Sequence, residues 1–262
     1  MSSAHTRIKA RRVFTVAAAQ MVERHNMADA ARAVATMVAK AGRLGARFLV
    51  TPEMILTGYH GGFDQATRDR LIDEVIRPAC ARHQVNLIVG AGSYRSAAGR
   101  RSSRPFIQAM IIDASGSIIG AHDKVIPTAG DLKWCARGDA RGLRVFRSEG
   151  LTFGVTICND FWATPLYTTL PDLNVPILLA GQKARVIFHA IASGRDRLYL
   201  DFHTRRMEER AIRARLWVVS ANCIRDRRTP CNAPTGIVDP AGTWRVTAPL
   251  AGEHLVTGRI SI

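Results

Sequence analysis

The stretch Phe153-Gly154-Val155-Thr156-Ile157-Cys158-Asn159-Asp160 joins a buried strand to the turn that follows it. Its first five residues are apolar or small and lack helical spacing, which predicts a strand buried on both faces. A cysteine at the bend after such a strand presents its sulfur at the sheet edge, and the next backbone N–H is free to stabilise an oxyanion. A structural role as a buried, unreactive thiol is the alternative for Cys158.

Short apolar runs of the same kind alternate with amphipathic segments along the rest of the chain. This alternation, together with several hairpins, predicts a layered α/β sandwich in place of a purely parallel sheet. The predicted helices are Ala28–Arg43, Thr67–His83 and His203–Arg215. The predicted strands are Phe14–Ala19, Phe48–Thr51, Val85–Ala91, Ile107–Asp113, Ser117–His122, Leu143–Phe146, Leu151–Ile157, Arg185–His189, Leu216–Ala221, Gly236–Asp239, Thr243–Val246 and Leu255–Ile260.

Two charged residues stand at comparable strand ends. Glu53 follows the apolar strand Phe48–Thr51, and Lys124 follows the strand that ends at His122. Taken singly, Glu53 is equally well explained as a helix cap, and Lys124 as a solvated charge at a sheet edge. If both point into one cleft, burial and their mutual charge shift their pKa values. A carboxylate base, a fixed cation and a thiol form the minimum set for thiol acylation.

In this order and context, Glu53, Lys124 and Cys158 resemble the Glu–Lys–Cys triad of the nitrilase superfamily of carbon–nitrogen hydrolases. The resemblance covers nearly the whole chain. Its other landmarks are Ala18-Ala19-Gln20, Pro52-Glu53, His122-Asp123-Lys124, Gly154–Cys158, Arg210-Ala211-Ile212, Trp217-Val218-Val219, Ala221-Asn222 and Thr235–Gly242.

The resemblance implies a four-layer αββα sandwich, commonly assembled as a homodimer or a higher homo-oligomer, with no metal and no organic cofactor. It implies that Glu53 takes the thiol proton from Cys158 and that the sulfur attacks an amide, N-carbamoyl or nitrile carbon. Lys124 and the backbone N–H of Asn159 would stabilise the negative charge, and water would then release the acid from a thioester. The alternative is a catalytically silent member of the superfamily that acts as a binding or interaction protein.

Two positions depart from the pattern that the resemblance implies. Asp131 stands seven residues beyond Lys124, where relatives often carry glutamate, and Asn159 replaces an aromatic residue after the nucleophile. Asp131 either lies beside the triad or caps a turn, and the sequence does not decide between the two. Asp160 fits the acidic position of the family and is a pocket candidate. The residues Leu170–Ile177 read as an insertion, and the longer segment Thr164–Gly181 that contains them is expected to be exposed and to close the pocket partly.

Two histidines are also candidates for the site. His189 ends a predicted buried strand and is expected to be a core or pocket-lining residue. His203 is expected to begin a helix. Neither histidine is predicted to be catalytic.

The composition limits the possible partners. The 262 residues include 37 Lys plus Arg and 21 Asp plus Glu, for a formal net charge of +16. The basic residues are mostly arginines, and they are dispersed without an aromatic nucleic-acid-binding motif, so the sequence favours a small-molecule substrate over nucleic acid. The five cysteines show neither CxxC nor metal-ligand spacing, which disfavours both a disulfide framework and a metal site.

The ends of the chain and its apolar runs bear on location. Residues 1–12 are basic and are predicted to form a flexible tail, while residues 13–262 are predicted to form a single hydrolase domain. No apolar segment follows the basic residues as in a secretory signal, and no run reaches the roughly 18 apolar residues of a membrane span. A cytoplasmic protein with no membrane partner is the expectation.

Overall fold

The computed structural model of the chain describes residues 11–59, 62–162, 174–193 and 197–262. Its helices are α1 (Met27–Arg43), α2 (Gln65–Leu71), α3 (Arg77–His83), α4 (Asn159–Trp162), α5 (Val175–Gly181) and α6 (Leu200–Ala214). Its strands are β1 (Val13–Val22), β2 (Phe48–Val50), β3 (Asn86–Arg95), β4 (Arg101–Ile112), β5 (Ile118–Asp123), β6 (Phe146–Ser148), β7 (Leu151–Ile157), β8 (Val186–Ile191), β9 (Trp217–Ile224), β10 (Gly236–Val238), β11 (Trp244–Thr247) and β12 (His254–Ser261).

The strands form one large sheet that folds over on itself. One half runs β5-β4-β3-β2-β1, with β12 antiparallel to β1. The other half runs β9-β8-β7-β6, with β10 antiparallel to β9 and β11 antiparallel to β10. The halves are joined where the end of β1 pairs in parallel with the end of β9, at Met21–Cys223 and Val22–Ile224. Because the joint involves only these ends, the two halves face each other over the rest of their length.

Three apolar clusters correspond to the three spaces between four layers. The central cluster, which includes Phe48, Phe153 and Phe188, lies between the sheet halves. The second contains buried residues of α1 and α3 against the outer face of the first half, and the third contains residues of α5 and α6 against the second half. The predicted four-layer αββα sandwich is therefore confirmed.

The predicted helix over Thr67–His83 is longer and is interrupted. It begins at Gln65, where the Asp64 side chain accepts a hydrogen bond from Thr67 N, and a π turn over Ile72–Ile76 separates α2 from α3. Pro78 lacks an N–H, and its ring disfavours the regular hydrogen-bonding pattern over the preceding turn. The change of register before α3 accommodates this proline.

The predicted insertion falls partly on residues 163–173, which lie outside the described residues. The rest of it is not an exposed loop, because residues 175–181 form α5. Leu179 of α5 is buried and packs over Gly154 of β7, where a side chain on residue 154 would collide with it. This part of the segment is therefore held against the outer face of the second sheet half.

The predicted tail falls mostly on residues that are not described. Arg12, its last residue, exchanges two backbone hydrogen bonds with Ile262, each of 2.9 Å. Among the described residues, no helix is both long enough and apolar enough to cross a membrane.

Candidate active site

The carboxyl ends of four parallel strands meet at one edge of the fold. Parallel pairing joins β7 to β8, β8 to β9 and β9 to β1. The residue that directly follows each strand, namely Cys158, Ala192, Arg225 and Glu23, lines a common cavity of about 580 Å³. The remaining lining residues are Tyr59, Thr128, Gly130, Asp131, Trp134, Ser193 and Cys223. Such an edge is where α/β proteins commonly place ligands.

Cys158 occupies a sharp turn between β7 and α4. Its φ is +45°, a conformation that is costly for a residue with a side chain. Two backbone hydrogen bonds hold it there, from Cys158 N to Ala190 O (2.8 Å) and from Phe161 N to Cys158 O (3.0 Å). Asn159 is the first residue of α4, where backbone N–H groups have no acceptor within the helix. The turn thus presents a half-buried thiol next to a backbone donor.

Glu53 reaches the site from the loop after β2, which crosses closely over β3. A Cβ on Gly90 would lie 2.1 Å from the carbonyl oxygen of Pro52, so only glycine permits this crossing. The buried Glu53 carboxylate accepts one hydrogen bond from Lys124 Nζ (2.8 Å) on Oε1 and one from Ala192 N (3.0 Å) on Oε2. It is therefore a fixed carboxylate inside the protein and not a helix cap.

Lys124 lies between two carboxylates and is only 1% exposed, so it is not a solvated edge charge. Its Nζ donates to Glu53 Oε1 and to Asp131 Oδ2, both at 2.8 Å. Tyr59 Oη donates to Asp131 Oδ1 and lies 3.5 Å from Glu53 Oε1. Glu53 and Lys124 are thus connected through Tyr59 and Asp131 to the cavity wall.

Asp131 fulfils both roles considered for it, because it caps a turn and also lies beside Lys124. Its carboxylate accepts a hydrogen bond from Thr128 N (2.8 Å), and its own N–H donates to Thr128 Oγ1 (3.1 Å), which is a turn cap. The same carboxylate contacts Lys124 and lines the cavity. Because Asp131 is only 2% exposed, it does not point to solvent.

Asp160 does not line the cavity, contrary to its assignment as a pocket candidate. Its Oδ1 accepts hydrogen bonds from Val125 N and Ile126 N, and its Oδ2 accepts from Ile157 N at 3.1 Å. His122 Nε2 lies 2.9 Å from the same Oδ2. The carboxylate therefore ties the backbone beside Lys124 to the backbone beside Cys158, which fixes the two segments relative to each other.

The histidines are also outside the cavity. His189 is fully buried in β8, where its Nδ1 lies 2.9 Å from Thr156 Oγ1, and burial lowers the pKa of its imidazole to about 3. His203 lies in the first turn of α6, with Nδ1 2.6 Å from Asn232 O. Both contact the indole of Trp162. They belong to the packing between the sheet and α6.

Charge and burial set the protonation of the three candidate catalytic groups. Burial and the nearby Glu53 carboxylate raise the pKa of the Cys158 thiol to about 12, although Lys124 opposes this shift. Burial raises the pKa of Glu53 as well, again against the influence of Lys124. Burial alone would lower the pKa of Lys124, but Glu53 and Cys158 raise it well above its ordinary value. The resting site therefore holds a protonated thiol beside a buried ammonium–carboxylate pair.

Tyr59, Glu23 and Arg225 are among the lining residues that were not singled out from the sequence. Tyr59 follows Glu53 by six positions in a segment without a periodic pattern, so nothing marks it. Glu23 and Arg225 directly follow β1 and β9, which belong to the same parallel set as β7 and β8. The predicted strands Phe14–Ala19 and Leu216–Ala221 end before them, so these two positions were not marked as strand ends. Among the described residues, no three His, Cys, Asp or Glu side chains are grouped to hold a metal ion.

Comparison with known proteins places this geometry in a family. The family model described as carbon–nitrogen hydrolase matches residues 15–262. No curated protein sequence matches the chain. Among solved structures, a mutant of the amidase from Nesterenkonia sp. AN1, with acrylamide added at its active-site cysteine, has a TM-score of 0.77 at 16% identity. That match covers 93% of this chain and 92% of the other.

A second mutant of the same amidase, in complex with butyramide, has a TM-score of 0.78 at 16% identity and covers 94% of this chain and 90% of that one. At this level of identity the likeness establishes the fold. The family match over residues 15–262 goes further. The chain belongs to the carbon–nitrogen hydrolase family.

Proposed function

We propose that the protein is a thiol-dependent hydrolase of small-molecule amide, N-carbamoyl or nitrile carbon–nitrogen bonds, with Glu53, Lys124 and Cys158 as its catalytic residues. The observation that carries the proposal is the buried Glu53–Lys124 pair, joined by 2.8 Å, which contacts Tyr59 and Asp131 in the wall of the cavity that Cys158 also lines. Removing the two charges of such a pair from water costs free energy, which their attraction and hydrogen bonds only offset. The presence of the pair is therefore not explained by a gain in folding stability. A catalytic role explains why such a pair lies directly behind Tyr59 and Asp131, which line the same cavity as Cys158.

In the first half of the reaction, Glu53 accepts the Sγ proton and the Cys158 sulfur attacks the substrate carbon. For an amide, the carbonyl π electrons move to oxygen. Lys124 uses two of its three N–H bonds on Glu53 and Asp131, and the third is available for this oxyanion together with the backbone N–H of Asn159. When the C–N bond breaks, the proton on Glu53 passes to the leaving nitrogen, and a thioester remains.

In the second half, water attacks the thioester and Glu53 accepts a proton from it. The C–S bond then breaks, the sulfur recovers the proton from Glu53, and the carboxylic acid leaves. Glu53 therefore acts alternately as base and acid. Ala192 N and Lys124 hold the two carboxylate oxygens separately, which keeps the orientation of Glu53 constant through both halves.

The proposal is tested by a screen for ammonia and acid release from primary amides, N-carbamoyl acids and nitriles. We expect at least one class to be hydrolysed, with an acyl adduct on Cys158 detectable by mass spectrometry after acid quenching. Iodoacetamide should also modify Cys158 faster than Cys223, the second thiol at the cavity. If no compound is turned over and the two thiols react equally, the catalytically silent binding protein is favoured.

The pH dependence of kcat/KM follows from the proposed role of Glu53. Because burial raises the pKa of Glu53 above its ordinary 4.5, the ionised base is present only above that raised value. The rate is therefore expected to fall as the pH drops through a limb above 4.5. Lys124 and Cys158 lose their protons only in strongly alkaline solution, so they cause no loss near neutrality. A rate that stays constant down to pH 4.5 would contradict this role.

Replacing Asp131 with asparagine is expected to lower kcat/KM by roughly 10- to 100-fold, since Lys124 loses one of its two charged acceptors. Asp131→Glu should retain more activity, because it keeps the carboxylate. Asp139→Asn is the matched control, as Asp139 is an exposed partner of Arg141. Unchanged kcat/KM in Asp131→Asn on a verified substrate would show that Asp131 only caps its turn.

A further inference from the structure

The cavity wall carries a cation that the proposed reaction does not use. Among the described lining residues, Arg225 is the only basic one. It directly follows β9, and the pairing of Val22 with Ile224 places it beside Glu23, which follows β1. Cys158 holds the same position after β7, so the guanidinium and the thiol stand at the same edge of the fold and line the same cavity.

The guanidinium of Arg225 is available to a ligand. Among the described residues, none forms an ion pair with it, whereas two nearby arginines share one acidic partner: Arg24 and Arg227 contact Glu253 at 2.8 Å and 3.4 Å. Glu23 is the neighbour of Arg225 on the wall, and its carboxylate accepts a hydrogen bond from Tyr59 N. Arg225 therefore keeps the donor fork that matches a carboxylate in two parallel hydrogen bonds.

We propose that Arg225 binds a carboxylate of the substrate, so that the preferred substrates are small amides or N-carbamoyl compounds with a carboxylate a few bonds from the scissile carbon. This inference rests on the function proposed above. A cavity of about 580 Å³ holds a small molecule, so the test below covers spacers of roughly two to four methylene groups between the reacting carbon and the carboxylate. The carboxylate of Glu23 lies beside Arg225 and repels an anion that is not paired with the guanidinium, which limits the gain in affinity from the substrate carboxylate.

The test compares kcat/KM for charged and neutral substrates of equal length. The monoamides of succinic, glutaric and adipic acid are paired with butyramide, pentanamide and hexanamide, and N-carbamoyl-β-alanine is paired with N-propylurea. We expect the charged member of at least one pair to be preferred by roughly tenfold or more. The monoamide and carbamoyl pairs show whether the carboxylate belongs to the acyl part or to the amine part.

Arg225→Gln is expected to lower the charged-to-neutral ratio of kcat/KM by roughly 10- to 100-fold. The matched control is Arg228→Gln, which removes an exposed arginine of the same loop that does not line the cavity and should leave the ratio unchanged. The preference should also shrink as ionic strength rises, since Arg225 is exposed.

Several outcomes separate this inference from the proposed function. Hydrolysis that depends on Cys158, with a ratio that Arg225→Gln does not change, overturns the role of Arg225 and leaves the hydrolase intact. If no compound is hydrolysed, calorimetric binding of glutaric acid monoamide to Cys158→Ala decides. A Kd raised tenfold or more by adding Arg225→Gln supports the carboxylate site. An unchanged Kd, or no binding, overturns it.

Discussion

Replacing Cys158 with alanine is expected to lower kcat by roughly 10⁴-fold or more, because the proposed thioester cannot form without the sulfur. The fold should survive. The substitution removes one half-buried sulfur atom, and the backbone hydrogen bonds that hold the turn, to Ala190 O and from Phe161 N, do not involve the side chain. Steady-state ammonia release, measured beside far-ultraviolet circular dichroism, checks both statements.

Cys80→Ala is the matched control for loss of a thiol. Cys80 is fully buried in the cluster between α1, α3 and the sheet and takes no part in the cavity. Its substitution should cost some stability and little activity. Acid-quenched mass spectrometry should detect the acyl adduct in the wild type and in Cys80→Ala, and not in Cys158→Ala. If Cys158→Ala keeps even a tenth of the wild-type rate, the thioester route is excluded.

The strands and the layer order follow from short-range patterns in the sequence. The run before Cys158 contains no charged residue, which predicts a buried strand. In the structure this run lies in β7, which pairs with β8 and β6 and is almost entirely buried. The predicted strands Ile107–Asp113 and Ser117–His122 correspond to β4 and β5, and the turn between them contains Gly116 at φ +83°. The π turn before Pro78 was not predicted, although a proline in the interior of the predicted helix Thr67–His83 is a signal for such a break.

The side-chain network of the site depends on long-range contacts that no local pattern encodes. Tyr59 is joined to Asp131 across 72 positions, and Ala192 N to Glu53 across 139. Asp160 was assigned to the pocket because it stands at the acidic position that follows Cys158 in the resemblance, yet the turn directs its side chain to the backbone near Lys124. The direction in which a side chain points from such a turn depends on the tertiary fold.

Other expectations from the sequence stay predictions. These are the homo-oligomer, the division into a tail of residues 1–12 and a domain over 13–262, and the cytoplasmic location. The large positive charge has no assigned partner. The exposed ion pairs Arg32–Asp29 and Arg141–Asp139 show that some arginines are used in local surface pairs, which contribute little to stability.

Replacing Lys124 with methionine is expected to lower kcat by roughly 10² to 10³-fold or more, the cost of losing one oxyanion donor. Lys124→Arg should not restore the rate, because a planar guanidinium cannot take the place of an ammonium held between Glu53 and Asp131. The control is Lys133→Met, which removes an exposed lysine nine positions further along and should leave kcat unchanged.

The variant Lys124→Met could lose activity because it unfolds, so its stability must be measured separately from its kcat. Without the ammonium, Glu53 and Asp131 are left as buried carboxylates, and breaking a buried pair costs about 3–5 kcal/mol of unfolding free energy. The double variant Lys124→Met/Asp131→Asn removes one of the two charges, so it should unfold at a higher temperature than Lys124→Met. Its kcat should nevertheless stay low, because the oxyanion donor is still missing. If the double variant regains wild-type kcat together with stability, Lys124 holds the fold and does not stabilise the oxyanion.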